Sequence, residues 1–158
     1  MGKIIDVVVV TYNRLPLLKE CLESLLGQRE NLSGIFVIDN HSTDGTTEYL
    51  AKIDDSLVKA TTLSDNIGGA AGFEYGVNLA TVEGNGDYIW IMDDDTIPNI
   101  GASSALIKKA RLLNNEFGFL CSNVRWTDGT ATNIAHVSKN WPDKIMEGLV
   151  GVVSATFV

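Results

Sequence analysis

Four apolar bursts, each breaking off into polar residues and separated by helix-sized intervals, restrict this chain more than any other feature. Ile4 to Val10 is nearly continuous and β-branched, which is how a strand reads when neighbours cover both of its faces. Ile35 to Ile38, Leu57 to Leu63 and Tyr88 to Met92 supply three more strands. In the first interval Leu18, Cys21, Leu22, Leu25 and Leu26 recur at three- and four-residue spacing behind Pro16, which suits an early helical position that needs no N–H. Ser42-Thr43-Asp44 offer N-cap side chains to a short second helix running through Glu48, Tyr49 and Leu50. In the third interval Ala70, Phe73, Val77 and Ala80 form an apolar stripe, while Gly68, Gly72 and Gly76 keep an adjoining face small enough for close packing. Strand and helix alternating in this way predict an α/β fold with a mainly parallel sheet, flanking helices and right-handed crossovers.

The later pattern is less regular. Ala102 to Leu113 reads as a helix, Phe117 to Val124 as a strand, Asp128-Gly129 as a turn between strands, and Leu149 to Val158 as a last strand. That strand stops without a cap or polar tail, so the fold is expected to be C-terminally truncated. A length of 158 residues with 45% hydrophobic content predicts one domain with a sizeable core.

Charge narrows the function. Twelve basic and 20 acidic residues leave a net charge of -8, the wrong sign for a nucleic-acid groove. An acidic protein that handles an anionic nucleotide needs a cation between the two. No apolar run reaches the length of a membrane span, and Cys21 and Cys121 read as two reduced thiols, so a cytoplasmic setting is expected.

In open parallel sheets ligands bind beyond the carboxyl ends of the strands. The first strand runs into Thr11-Tyr12-Asn13-Arg14, the second into Asp39-Asn40, the third into Ser64-Asp65-Asn66 and the fourth into Asp93-Asp94-Asp95-Thr96. Three adjacent carboxylates repel one another, and a hard cation such as Mg²⁺ or Mn²⁺ relieves the crowding while taking further ligands from a diphosphate. Side chains alternate along an extended chain, so Asp93 and Asp95 can converge on one ligand while Asp94 points elsewhere. The competing reading, a solvated acidic turn, is weakened by the preceding Tyr-Ile-Trp-Ile-Met run. Asp39 is placed to accept hydrogen bonds from a base or ribose. Asn66-Ile67-Gly68-Gly69 opens a helix whose N-terminus favours phosphate.

Other chemistries fit less well. Asn40, Ser42, Asp44 and Gly45 imitate half of a calcium loop, but Ala51 stands where a bidentate Glu is required, so Ser42 to Gly45 is better read as a turn and helix cap. His41 and His136 lack metal-ligand spacing, and no Gly-x-Ser-x-Gly elbow exists. Trp90, Trp126 and Trp141 are assigned to packing.

Taken together, Val-Val-Val-Val-Thr-Tyr-Asn-Arg (7–14), Val-Ile-Asp-Asn-His-Ser-Thr-Asp-Gly-Thr (37–46), Asn-Ile-Gly-Gly-Ala-Ala-Gly-Phe (66–73) and Met-Asp-Asp-Asp-Thr-Ile-Pro (92–98) resemble family 2 glycosyltransferases with the GT-A fold, especially bacterial galactofuranosyl- and rhamnosyltransferases. The resemblance covers Ile4 to about Pro98 closely and the rest loosely. It implies that residues 1–98 bind a nucleotide-diphosphate sugar, UDP- or dTDP-linked, and that 99–158 begin an incomplete acceptor-side part. Thr11, Tyr12 and Asp39 would then lie near the base, with Asn13 and Arg14 also binding the donor. Asp93 and Asp94 would lie near ribose and diphosphate, and Asn66 and Gly68 along the donor. Asp95 matches the family's metal-binding last Asp, with Asp93 as its partner on the ion. The family transfers sugar with inversion to a glycan or lipid-linked acceptor. Its carboxylate base lies in a later motif, expected beyond Val158, for which Asp128, Asp143 and Glu147 are poor substitutes. The full-length protein is expected to associate peripherally with the inner face of the membrane. A nucleotidyltransferase is the alternative enzyme, but it wants a Gly- and Lys/Arg-rich loop after the first strand, where this chain has only Arg14. A non-catalytic nucleotide-binding α/β module is the alternative outside catalysis.

Overall fold

A computed structural model describes residues 4–130 and 154–157, which divide into two compact units, Met1–Asp95 and Thr96–Val158. In the first unit the elements alternate as β1 (Ile5–Thr11), α1 (Leu15–Leu26), β2 (Leu32–Asp39), α2 (Thr46–Leu50), β3 (Val58–Thr62), α3 (Gly69–Glu83) and β4 (Tyr88–Asp93). All pairings are parallel and the strand order is β3-β2-β1-β4. β1 therefore lies between two neighbours, and every one of its residues is buried, which accounts for its nearly continuous apolar run. Burying each valine there stabilises the fold by at most about 1.5–3 kcal/mol before entropy is counted. β3, at the sheet edge, has no fully buried residue, and its Lys59 lies 4.8 Å above the Phe36 ring.

Helix α1 buries Leu18, Cys21, Leu22 and Leu25, the expected stripe, with Pro in its first turn. Phe73, Val77 and Leu79 of α3 pack against the buried cluster of Val8, Phe36 and Ala80. The glycines explain how closely α3 approaches the sheet: a Cβ on Gly76 would sit 2.5 Å from Val8 Cγ1, and one on Gly72 3.0 Å from Val10 Cγ1. Two details of the expected stripe are corrected. Ala70 is exposed, and Gly68 has open space where a Cβ would be. Gly68 is instead required by its backbone, at φ 84°, just before the helix.

A buried carboxylate closes the opposite end of β1. Asp6 accepts hydrogen bonds from Ser33 Oγ at 2.7 Å and from the Gly86 N–H at 2.6 Å, tying both neighbouring strands' approaches to the centre.

The second unit contains β5 (Thr96–Pro98), α4 (Ala102–Leu112), β6 (Asn123–Trp126) and β7 (Ser154–Phe157). β7 pairs antiparallel with β5 and parallel with β6. The strand expected over Phe117 to Val124 begins only at Asn123. Asn114 and Asn115 both take left-handed backbone to stop α4, and Phe119 stays 53% exposed, so that apolar run does not mark burial. Asp128-Gly129 forms the expected turn, with the Asp128 carboxylate accepting from Thr130 N–H and Oγ–H. Of the expected last strand, Ser154–Phe157 is described and forms β7; its remaining residues, with Asp143, Glu147, His136 and Trp141, lie outside the described residues.

Candidate functional site

Parallel register gathers the strand ends of the first unit. Thr62 pairs with Asp39, Asp39 with Thr11, and Val10 with Asp93. One sheet edge thus carries the polar residues that follow each apolar run, together with the turns that leave them.

The acidic triplet is the most strongly organised part of this edge. Asp94 is buried, and its Oδ2 accepts the Thr11 Oγ–H at 2.6 Å. Arg14 Nη1 donates to Asp95 Oδ2 at 2.7 Å and lies 3.6 Å from Asp94 Oδ1. Asp95 Oδ1 is buried and has no hydrogen-bond partner. Asp93 is exposed at the end of β4. Three carboxylates against one guanidinium leave a local charge of −2, which is the charge a divalent ion balances.

The titration of the site reflects that surplus. Burial, reinforced by the Asp95 charge, raises the Asp93 pKa despite Arg14. Burial also raises that of Asp94; its neighbours Asp95 and Asp93 add to the rise, while the Thr11 hydrogen bond and Arg14 oppose it. The field reaches helix α1, where burial and then the charges of Asp94 and Asp95 push the Cys21 thiol up to about 12. Among the described residues no three acidic, His or Cys side chains form a ready-made metal cage. Mg²⁺ and Mn²⁺ need none, because they are commonly held by one or two carboxylates with water and substrate phosphate completing the shell. Hard oxygen donors, excess negative charge and an unpartnered carboxylate oxygen fit such an ion at Asp95. The expected alternation is corrected here: the chain turns after Asp93, so Asp94 and Asp95 share Arg14 while Asp93 stands exposed.

Two neighbouring turns are laced together. Asn13, at φ 53°, donates its N–H to Ser42 Oγ at 2.9 Å and accepts the Thr43 N–H on Oδ1 at 2.7 Å. Asp44 serves two helices. Its Oδ2 accepts the Leu15 N–H at 2.9 Å, capping α1 where Arg14 supplies no side-chain cap, and its Oδ1 accepts from Thr46 N–H and Oγ–H at the start of α2. Slight desolvation of the exposed Asp44 opposes ionisation, but the hydrogen bonds from Thr46 and Leu15 outweigh it and hold the pKa below its ordinary value.

Asp39 is completely buried and holds the β2 end in shape. Oδ1 accepts the Ser42 N–H at 3.0 Å, and Oδ2 accepts from Thr47 Oγ at 2.6 Å and Thr62 Oγ at 3.3 Å. Asn40, also buried, accepts the Ile67 N–H at 2.9 Å and so fixes the turn before α3, where Asn66 Oδ1 accepts the Gly68 N–H at 2.9 Å. Tyr12 stands 45% exposed between these networks in the chain, its ring available to a flat ligand.

The fold thus brings Thr11, Arg14, Asp94 and Asp95 into one network and Asn13 and Asp39 into the loops beside it. Asn66 and Gly68 join through Asn40. Sequence reasoning overlooked Asn40, Thr47 and Thr62 as supports. For Asn40 a signal existed: a short amide side chain at a strand end commonly bonds to nearby backbone.

The model of the family described as Glycosyl transferase family 2 matches residues 6–150. The galactofuranosyltransferase GlfT1 of Mycolicibacterium smegmatis is 33% identical over 98 residues, covering 61% of this chain and 31% of that protein. The chain therefore spans about a third of the length of the curated relatives it matches. The crystal structure of S. aureus TarS 1–349 in complex with UDP-GlcNAc superposes with a TM-score of 0.66 at 23% identity, over 82% of this chain and 36% of that one. The mannosyltransferase PcManGT from Pyrobaculum calidifontis, in complex with GDP-Man and Mn²⁺, gives 0.62 at 26% identity, over 79% and 36%. These likenesses show a GT-A-type fold, the mainly parallel sheet with flanking helices described above.

Proposed function

The chain belongs to glycosyl transferase family 2, and from that membership we propose that it is the donor-binding part of a metal-dependent glycosyltransferase that uses a UDP- or dTDP-sugar. The observation that carries the reading is the Asp93–Asp95 turn, where a buried carboxylate oxygen without a partner sits in a surplus of negative charge at the carboxyl edge of the sheet. Relatives with bound UDP-GlcNAc, and with GDP-Man and Mn²⁺, support the same direction.

In this reading each group has a mechanical role. Asp95 and Asp93 hold Mg²⁺ or Mn²⁺, which when bound offsets the charge that develops on a departing diphosphate. Thr11 anchors Asp94 so that the turn keeps its shape. Tyr12 offers a face to the base, and the Asp39-organised loop borders it. The open backbone at Gly68 and Gly69 lets the donor approach the start of α3, whose free N–H groups favour phosphate. Transfer proceeds with inversion to a glycan or lipid-linked acceptor at the cytoplasmic face of the membrane.

Thermal denaturation with UDP, dTDP and GDP, each in Mn²⁺ and in chelator, tests the proposal. Nucleotide at a hundredfold excess over Kd stabilises by about 2.7 kcal/mol, and the shift is expected only when Mn²⁺ is present. Indifference to every nucleotide in both conditions would assign the chain to a non-nucleotide module instead.

A further inference from the structure

Arg14 stands in the turn after β1 with its guanidinium on the acidic triplet. We propose that it is a positioning residue for the metal-binding carboxylate, holding Asp95 by one oxygen so that the other faces the ion. This rests on the metal reading above and adds a residue to it.

The two Asp95 oxygens are not equivalent. Oδ2 is taken by the Arg14 guanidinium at 2.7 Å, whereas Oδ1 is buried and unpartnered. A carboxylate fixed at one oxygen by a charged hydrogen bond presents the other in a set direction, as the outer partners of metal ligands generally do. Arg14 is itself well anchored. Asn13 before it is bound to Ser42 and Thr43, the Leu15 N–H after it is bound to Asp44, and its own carbonyl accepts the Leu18 N–H at 3.0 Å. The same guanidinium lies 3.6 Å from Asp94, which Thr11 holds from the other side. Arg14 and Thr11 together therefore brace two consecutive members of the triplet.

The opposing view makes Arg14 a counter-ion that the metal must expel. Removing a unit charge about 4 Å from a divalent ion in water would then tighten metal binding about thirtyfold, whereas losing an outer-shell partner typically weakens it by about 10–100-fold. The two effects are of similar size and opposite sign, so the sign of the change decides between the two views.

Mn²⁺ affinity, read by electron paramagnetic resonance on the metal alone and again with UDP present, is compared for wild type, Arg14→Gln and Arg14→Lys. Arg14→Gln is expected to bind Mn²⁺ a few-fold more weakly, the lost orientation outweighing the relieved repulsion, with Arg14→Lys showing how much of the change follows the planar fork rather than the charge. Melting in chelator should be little changed. Equal or tighter Mn²⁺ binding by Arg14→Gln overturns the positioning role while leaving the metal site intact. Failure of the wild type to bind Mn²⁺ even with UDP removes the metal reading and this inference with it.

Discussion

Replacing Thr11 with Val asks how much the edge depends on one hydroxyl. The side chain is buried, and valine nearly matches its shape, so no cavity opens. What disappears is the 2.6 Å hydrogen bond to Asp94, itself buried. A hydrogen bond to a charged group is worth about 1.5–3 kcal/mol, so metal-free Thr11→Val should unfold about 2 kcal/mol more easily at neutral pH. The deficit must also depend on pH. Asp94 already titrates above its ordinary value of 3.8, with burial the leading cause, and the Thr11 bond is among the influences holding it down. Without the hydroxyl its folded pKa rises further. The charged-state loss is complete above both folded values and shrinks as pH falls through them, because a protonated Asp94 no longer needs the donor. Urea unfolding in chelator from about pH 8 to about pH 4 measures this. A deficit below about 0.5 kcal/mol, the range of an indifferent surface change, would refute the argument. So would one that stays constant across the pH range.

Gly76→Ala should cost stability, since the added Cβ meets Val8 Cγ1 at 2.5 Å and Ile38 Cγ1 at 3.0 Å; overpacking of about 1–3 kcal/mol outweighs the roughly 1 kcal/mol gained in helix propensity. Gly72→Ala, with its nearest atom at 3.0 Å, should lose less in the same urea titration. Asp44→Ala removes the caps of two helices and should lose about 1 kcal/mol, kept low by exposure. Because the Asp44 pKa is depressed when folded, the wild-type advantage is present above 3.8 and fades as pH falls through the lower folded value, which acid unfolding curves of the two proteins check.

The central strand was legible because its neighbours cover both faces, and sequence records that as a β-branched run from Ile5 to Val10 interrupted only by Asp6. The glycine spacing in α3 likewise encoded close approach at Gly72 and Gly76, though not at Gly68, whose role lies in its backbone angle. The polar strand ends share one edge because parallel register aligns them. Their wiring was not legible. Thr11 meets Asp94 across 83 positions and Arg14 meets Asp95 across 81, and no local periodicity reports such pairs. Asp44 shows the division well: its cap of α2 follows from the local sequence, but its cap of α1 depends on two turns meeting in space. The expected strand at Phe117 failed for a comparable reason, as two left-handed asparagines redirect the chain before apolar content can matter.

Paramagnetic relaxation by Mn²⁺ in a sample carrying UDP locates ion and nucleotide together. Relaxation should be strongest for the UDP phosphorus signals and the amides of Asn13, Arg14, Asp94 and Asp95. It should be weakest for Ser33, Gly84 and Gly86, which lie with Asp6 at the far end of β1, about 20 Å away at ~3.3 Å per residue. Relaxation centred at that far end, or phosphorus signals that ignore the ion, would contradict a metal-bridged nucleotide at Asp95.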